Sequence, residues 1–194
     1  MSDGAPYRTL ARKTVFTNQV FDVYADHIRA DDGTEVREYC VIAPKTALDG
    51  SLVTGVTVLP IYQDKIALIH MHRHALNEAF WECPRGFLVP DEPPAVSAVR
   101  ELREETGLDC PPENLIDLGT IVQEASTLAA RVHLFAAPDC VKVADGPEHH
   151  ELGMGAMKLF PIEEVARMAA DGGIEDATTL ISYFRWRAQS ANRE

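Results

Sequence analysis

Three glutamates in one short segment form the most chemically informative pattern in this sequence. Glu101, Glu104 and Glu105 are spaced i, i+3 and i+4, so at ~100° per residue they fall within about 100° of arc on one helix face. Like charges at this spacing repel each other by roughly a few tenths of a kcal/mol per pair. A bound divalent cation removes that repulsion, because Mg²⁺ takes carboxylate oxygens as ligands and often shares its shell with substrate phosphates. The spacing is therefore compatible with a metal site for phosphate chemistry.

The three carboxylates are predicted to lie on a helix that runs from about Ala95 to Thr106. Two prolines precede this segment and Gly107 follows it, which suits a helix entry and a C-terminal cap. Arg100 lies four residues before Glu104, so the two side chains can pair and orient that carboxylate. Taken alone, such an acidic helix face is most often only solvated. The residues around the glutamates decide between the two interpretations.

The segment from Gly86 to Leu108 matches the pattern G-x5-E-x7-R-E-U-x-E-E-x-G-U, with U aliphatic, at every fixed position. This pattern is the Nudix box, and the sequence resembles the Nudix hydrolases. Weaker similarity to the ADP-ribose pyrophosphatase branch extends over most of the chain, including Trp81-Glu82-Cys83-Pro84-Arg85 before the box. The resemblance implies an α/β fold, an α/β/α sandwich with a mixed central sheet. It also implies a homodimer, because N-terminal strands in this branch commonly help to build the partner's site.

The resemblance assigns roles to individual residues of the box. The implied metal ligands are the Gly86 carbonyl, Glu101, Glu104 and Glu105. The cofactor is expected to be Mg²⁺, with Mn²⁺ as the alternative, and two or three such ions can neutralise a diphosphate and activate water. Glu104 and Glu105 are also assigned catalytic roles, Glu104 as a ligand or by positioning the water. Glu92 and Arg100 are expected to hold the loop and the helix together.

A general base and substrate-binding residues are expected outside the helix. The ADP-ribose branch often places a glutamate in the later loop, here Asp139 to Glu151, so Glu148 and Glu151 are the candidates and Glu151 is favoured. A solvated loop explains these two residues equally well. The predicted substrate-binding residues are Arg73, Glu82 and Arg85. For Arg73, contact with a phosphate or a base competes with a surface ion pair.

Composition limits the possible partners. The chain has 194 residues and a formal net charge of −12, which disfavours binding to a nucleic acid or an anionic membrane. Its apolar runs are too short to span a bilayer, and its N-terminus does not have the pattern of a secretory signal. The four cysteines are widely spaced without a C-x-x-C pair, which favours reduced thiols in a cytoplasmic protein over a zinc site or disulfide framework.

The order of predicted elements suggests two regions. Residues 1–45 form an N-terminal strand and hairpin region that is predicted to dimerise, with strands at Val20–Arg29 and Glu35–Ile42. Residues 46–194 form the predicted hydrolase domain. Its strands are predicted at 56–62, 65–71, 80–83, 115–122, 132–136 and 157–160, and its later helices at 161–170 and from Asp176 to about Gln189. Many strands around a central helix indicate an α/β class.

The predicted reaction is Mg²⁺-dependent hydrolysis of the diphosphate linkage in a small-molecule nucleoside diphosphate derivative. ADP-ribose or a related ADP-sugar is the first choice, with a nucleoside monophosphate and a phosphorylated moiety as products. Relatives that hydrolyse ADP-ribose usually carry proline about fifteen residues beyond the box, and residues 123–130 contain none. GDP-mannose, NADH and diadenosine polyphosphates therefore stay open as substrates. A non-catalytic Nudix-fold regulator is the alternative from another class, although all three glutamates are present.

Overall fold

The architecture is the predicted α/β class with a mixed central sheet. The computed structural model describes residues 5–46, 50–143 and 151–191. Its strands are β1 (Tyr7–Thr17), β2 (Phe21–Ala30), β3 (Glu35–Pro44), β4 (Val53–Tyr62), β5 (Lys65–Arg73), β6 (Glu78–Glu82), β7 (Arg85–Phe87), β8 (Leu108–Asp109), β9 (Ile116–Ile121), β10 (Arg131–Ala137), β11 (Val141–Lys142) and β12 (Met154–Pro161). Its α-helices are α1 (Pro94–Thr106), α2 (Ile162–Asp171) and α3 (Ala177–Ala191).

The first compact unit comprises residues 1–54 and 122–131. In it, β1, β2 and β3 form an antiparallel sheet with β2 in the centre, and Gly33 takes the left-handed conformation that the turn between β2 and β3 needs (φ 88°). The segment 122–131 joins this unit because Ile42 exchanges backbone hydrogen bonds with residues 127 and 129. Strand β1 was not predicted, since every one of its residues is exposed and no apolar face marks it.

The second unit comprises residues 55–121 and 132–194 and contains the box. Its main sheet has the order β12-β5-β4-β10-β9, with β6 paired to β5 and β7 paired to β4. Strand β4 is buried from Thr54 to Ile61, as expected for a central strand covered on both faces. Leu59, Ile66 and Leu134 have no exposed surface and lie at the centre of the core. The short strands β7 and β11 lie where the sequence predicted only loops.

Helix α1 begins and ends within one residue of its prediction. Ala98 and Leu102 are fully buried, so the apolar face packs inward while the acidic residues line the adjacent side. Gly107 ends the helix with a φ of 67°, and its N–H donates to the Arg103 carbonyl. Helix α3 begins after Asp176, whose carboxylate accepts the Thr179 N–H at 2.8 Å. None of the helices in the described ranges is long and apolar enough to cross a membrane.

Candidate active site

Gly86 and Gly55 allow strand β7 to lie close to both helix α1 and strand β4. Gly86 on β7 pairs with Val56 on β4, and a Cβ added to Gly86 would lie 2.1 Å from Oε1 of Glu101. A Cβ on Gly55 would lie 2.7 Å from the Gly86 carbonyl oxygen. Both distances are far below van der Waals contact, so a Cβ would require movement of the backbone next to Gly55 and of the Glu101 side chain next to Gly86. The backbone of Gly86 therefore lies directly against the Glu101 carboxylate, as a shared site for these two groups requires.

Arg100 holds together the acidic side chains and the loop before the helix. Its Nη1 donates to Glu101 at 2.6 Å and to Glu104 at 3.3 Å, and its Nη2 donates to the Phe87 carbonyl at 3.2 Å. Its Nε donates to Glu92 at 3.4 Å, and Glu92 also accepts the hydroxyl of Ser97. The contact with Glu104 follows the predicted i, i+4 spacing. The stronger contact with the adjacent Glu101 was not predicted, since neighbours along a helix point in different directions.

Burial makes two of the glutamates hard to ionise. Glu101 and Glu105 are only 8% and 7% exposed. Burial, and then the nearby Glu101, raise the pKa of Glu105 to about 8, although the Arg85 N–H donates to its carboxylate. Burial also raises the pKa of Glu101, against the opposing effect of Arg100. Burying two neighbouring carboxyl groups therefore lowers the free energy of unfolding when they are ionised. Carboxyl groups with pKa values shifted in this way are typical of functional sites.

A cleft of about 430 Å³ is lined by both predicted arginines. Glu82, only 3% exposed, accepts hydrogen bonds from Arg73 at 2.6 Å and forms an ion pair with Arg85 at 2.6 Å. Arg85 also donates to Asp176 at 2.7 Å. The structure thus brings Arg73, Glu82 and Arg85 together, as a substrate-binding set requires. Fixed, paired guanidinium groups are suited to holding a planar or phosphate-bearing ligand in one orientation.

Glu151 lies at the edge of this group of charges. Arg73 donates to it at 3.3 Å, and its charge adds to the raised pKa of both Glu101 and Glu105. Two glycines bring its segment close to β5, because a Cβ on Gly153 or Gly155 would lie 2.4 or 2.6 Å from a β5 carbonyl oxygen. Glu148, the other candidate base, lies outside the described residues.

Comparison with known proteins agrees with this geometry. The NUDIX domain profile matches residues 51–180. The chain belongs to the Nudix family. An ADP-ribose pyrophosphatase from Mycobacterium tuberculosis is 30% identical over 180 residues, which cover 90% of this chain and 80% of that protein. A methanol dehydrogenase activator from Bacillus methanolicus is 25% identical and covers 95% of this chain and 94% of its own.

A solved structure described as an ADP compounds hydrolase has the same fold. It superposes with a TM-score of 0.79 at 17% identity and covers 97% of this chain and 96% of its own. The present protein is thus a Nudix pyrophosphohydrolase of the ADP-ribose pyrophosphatase-like kind. Its substrate is a small-molecule nucleotide derivative, and hydrolases of this family generally use a divalent metal.

The donor groups of this Nudix hydrolase fit a hard divalent cation. Carboxylate and backbone carbonyl oxygens are suitable ligands for Mg²⁺. Burial is the largest cause of the raised pKa of Glu105, and the charge of Glu101 adds to it; a bound cation would oppose this second effect. Within the described ranges, no three acidic, histidine or cysteine side chains already stand in metal-binding geometry. Arg100 forms ion pairs with the carboxylates of Glu101 and Glu104. The ligand roles therefore stay predictions.

Asp176 belongs to the site of this Nudix hydrolase but was predicted only as a helix cap. It caps α3 through Thr178 and Thr179 while it pairs with Arg85. Burial alone would raise its pKa, but Arg85 and the two threonines outweigh that effect and lower it. The pattern Asp-x-Thr-Thr was a visible signal for the cap. The arginine partner lies 91 residues earlier, so no local pattern could reveal it.

Proposed function

We propose that this protein catalyses the Mg²⁺-dependent hydrolysis of a nucleoside diphosphate linked to another moiety, with ADP-ribose or a related ADP-sugar as the substrate. The products are a nucleoside monophosphate and a phosphorylated moiety, here AMP and a sugar phosphate. One observation carries the proposal: the buried carboxylates of α1 adjoin a cleft lined by two arginines, through the contact of the Arg85 N–H with Glu105. Arg85 thus connects the proposed metal ligands with the proposed substrate-binding residues.

The residues of the site have separate proposed roles in cation binding, substrate orientation and proton transfer. Gly86, Glu101, Glu104 and Glu105 would hold the cation, with Mn²⁺ as the alternative ion. Such an ion neutralises the diphosphate, polarises a phosphoryl oxygen and lowers the pKa of bound water. Arg73 and Arg85 orient the substrate beside the carboxylates, and Glu82 fixes both guanidinium groups. Glu151, half exposed and paired with Arg73, would accept the proton of an attacking water.

The charge of the cleft favours a sugar as the second moiety. Its two arginines face four carboxylates, those of Glu78, Glu82, Glu175 and Asp176. An additional phosphate would meet this net negative charge without compensation, whereas sugar hydroxyls can donate to carboxylates. Leu76 and Phe80 add apolar surface at the same cleft. The relatives named for ADP-ribose and for ADP compounds point to the same substrate class.

The substrate assignment predicts a specific product pattern. We expect incubation with ADP-ribose and Mg²⁺ to give AMP and ribose 5-phosphate, detected by liquid chromatography and mass spectrometry, and EDTA to abolish both. Because of the charge of the cleft, kcat/KM for ADP-ribose or ADP-glucose should exceed that for diadenosine polyphosphates by about tenfold or more. GDP-mannose and NADH complete the panel. Turnover restricted to GDP-mannose, NADH or diadenosine compounds would contradict the proposed substrate while leaving the reaction class intact.

We further propose that residues 1–45 form the contact of a homodimer, as the ADP-ribose branch suggests. Tyr7, Val15 and Phe16 on β1 are each more than half exposed. An edge strand with apolar side chains and free backbone groups readily pairs with a second chain. A second copy of this chain is therefore the proposed occupant of the β1 surface.

The dimer predicts a difference between two matched phenylalanines. Phe16 on β1 and Phe184 on α3 are 54% and 55% exposed, so both can be replaced by aspartate without disturbing a core. Light scattering after size exclusion should give twice the 21.4 kDa chain mass for the unmodified protein and for Phe184→Asp. We expect Phe16→Asp to give the single-chain mass, because a charge opposes burial at an interface. A monomeric parent protein, or dissociation by the Phe184 variant alone, contradicts this contact.

A further inference from the structure

Two cysteines lie next to the last pair of a short antiparallel ladder, one beside each strand. Strands β8 and β11 are antiparallel, with Asp109 opposite Val141 and Leu108 opposite Lys142. The next step of the same register places Cys110 opposite Cys140. Cys110 follows Glu105 by five residues along the chain, and neither thiol has a role in the proposed reaction.

The hydrogen-bond alternation of the ladder fixes the kind of pair that the cysteines form. The Val143 N–H donates to the Gly107 carbonyl at 2.9 Å, so residues 107 and 143 are a hydrogen-bonded pair. Bonded and non-bonded pairs alternate along an antiparallel ladder, which makes residues 110 and 140 a non-bonded pair. In agreement, the Cys140 N–H donates elsewhere, to the Ile61 carbonyl. Cα atoms of a non-bonded pair lie about 4.5 Å apart, within the range of about 4.4–6.8 Å that a disulfide spans.

The sulfur atoms also point to one place. Sγ of Cys110 donates to the Pro138 carbonyl at 3.4 Å, and Sγ of Cys140 donates to the Ala137 carbonyl at 3.1 Å. These acceptors belong to consecutive residues, so the two thiols lie beside neighbouring peptide units. Burial raises the pKa of Cys110 to about 11 and that of Cys140 to about 12, and the charge of Cys110 contributes to the second shift. Such an interaction requires the two thiols to be close neighbours.

We propose that Cys110 and Cys140 form an intramolecular cross-strand disulfide when the protein meets a low-molecular-weight disulfide such as oxidised glutathione. One cysteine thiolate attacks the reagent and releases one reduced glutathione, which takes the thiol proton. The second cysteine attacks the mixed disulfide and releases the other. One S–S bond breaks in the reagent and one forms in the protein, so two cysteines are oxidised while two glutathiones become reduced.

Burial sets the speed and the consequence of this reaction. Cys110 and Cys140 are 1% and 5% exposed, and their raised pKa values leave few thiolates at neutral pH, so the pair reacts slowly and through local opening. The bond would join the two ends of a loop that contains β9 and β10. Closing such a loop restricts the unfolded chain, so we expect the oxidised protein to melt roughly 5–10 °C above the reduced protein. The pair is thus a latent cross-link that strengthens the fold under oxidising conditions.

The test uses the full chain with Cys40 replaced by serine, because Cys40 is the exposed cysteine and would otherwise divert the reagent. After long incubation with oxidised glutathione, the protein is denatured, alkylated and mapped by mass spectrometry without reduction. We expect one unlabelled pair, a Cys110–Cys140 peptide, and a rise in melting temperature that dithiothreitol reverses. Cys110→Ser and Cys140→Ser should each abolish both changes, and Cys83→Ser should abolish neither.

Diamide provides a second oxidant that is smaller than glutathione disulfide. The proposal is overturned if all remaining thiols are alkylated after treatment with both oxidants, or if the mapped disulfide contains Cys83. It is also overturned if the correct disulfide forms but lowers the melting temperature, because the paired geometry would then be strained.

Discussion

Glu105→Gln is expected to lower turnover by roughly a hundredfold or more while the protein stays folded. Glutamine keeps the size of the side chain and can still accept the Arg85 N–H, which bonds Glu105 at 3.1 Å. It removes the negative charge that a divalent cation requires from its ligand. Steady-state kinetics with ADP-ribose at saturating Mg²⁺ measure the effect. Glu113→Gln, at an exposed position outside the site, should retain full activity, and a Glu105 variant with near-normal turnover would contradict the assignment.

The same substitution is expected to stabilise the metal-free protein at alkaline pH. The pKa of Glu105 is raised from its ordinary value near 4.5 to about 8 in the folded chain, so the folded state holds this proton more tightly than the unfolded state. Stability therefore falls as pH rises from about 4.5 to about 8, and the whole penalty is present above pH 8. Glutamine cannot ionise, so the variant does not lose this stability as pH rises. Activity and stability should thus change in opposite directions, as expected for a site that stores strain for function.

Urea unfolding in EDTA measures this stability difference. At pH 9 we expect Glu105→Gln to exceed the unmodified protein by roughly a few kcal/mol. At pH 4.5 the two should be nearly equal, because Glu105 is then protonated in the folded state. Glu104→Gln is the matched control, because it makes the same change on the same helix at a side chain that is 24% exposed. A difference for the Glu105 variant that stays constant with pH would show that packing, not ionisation, causes it.

The acidic face of the Nudix box could be predicted from sequence because its residues lie close together along the chain. The Glu101, Glu104 and Glu105 spacing, the C-terminal glycine and the apolar positions all lie on one helix, whose periodicity directly places side chains on faces. Helix α1 therefore formed where it was predicted. The burial of Glu101 and Glu105 could not be predicted in the same way, because it depends on β7, whose Gly86 and Arg85 lie against the two carboxylates and which a helical wheel does not contain.

The remaining site depends on contacts between distant segments. Glu82 joins Arg73 to Arg85 within a span of 12 residues, but Asp176 reaches Arg85 from the other end of the unit. Strand β1 escaped prediction because it lacks a buried face, and β7 because it has only three residues. The predicted boundary between residues 45 and 46, the site roles and the dimer stay predictions. The substitutions in the site test its roles, and those of Phe16 and Phe184 test the dimer.

Gly86→Ala is expected to impair catalysis with little loss of stability. The new Cβ would lie 2.1 Å from Oε1 of Glu101, which is impossible without movement. The backbone at Gly86 does not have the positive φ that requires glycine, and the obstructing atoms belong to the end of a flexible side chain. The protein can therefore fold by rotating Glu101 away from β7. That rotation separates a proposed metal ligand from the backbone carbonyl that shares its ion, so we expect roughly a 10–100-fold loss of kcat/KM and weaker Mg²⁺ affinity.

Two further variants distinguish the displacement of Glu101 from a non-specific effect of an added methyl group on folding. Gly50→Ala adds the same methyl group where nothing lies within 4 Å, so its activity and melting temperature should match those of the parent protein. Glu101→Asp shortens the obstructing side chain and is expected to lose activity by itself. Combined with Gly86→Ala it should cost less than the sum of the single losses, because the shorter carboxylate already leaves room for the methyl group. Strictly additive losses would mean that Gly86 acts without Glu101, and the close approach of β7 to α1 would then have no part in binding the cation.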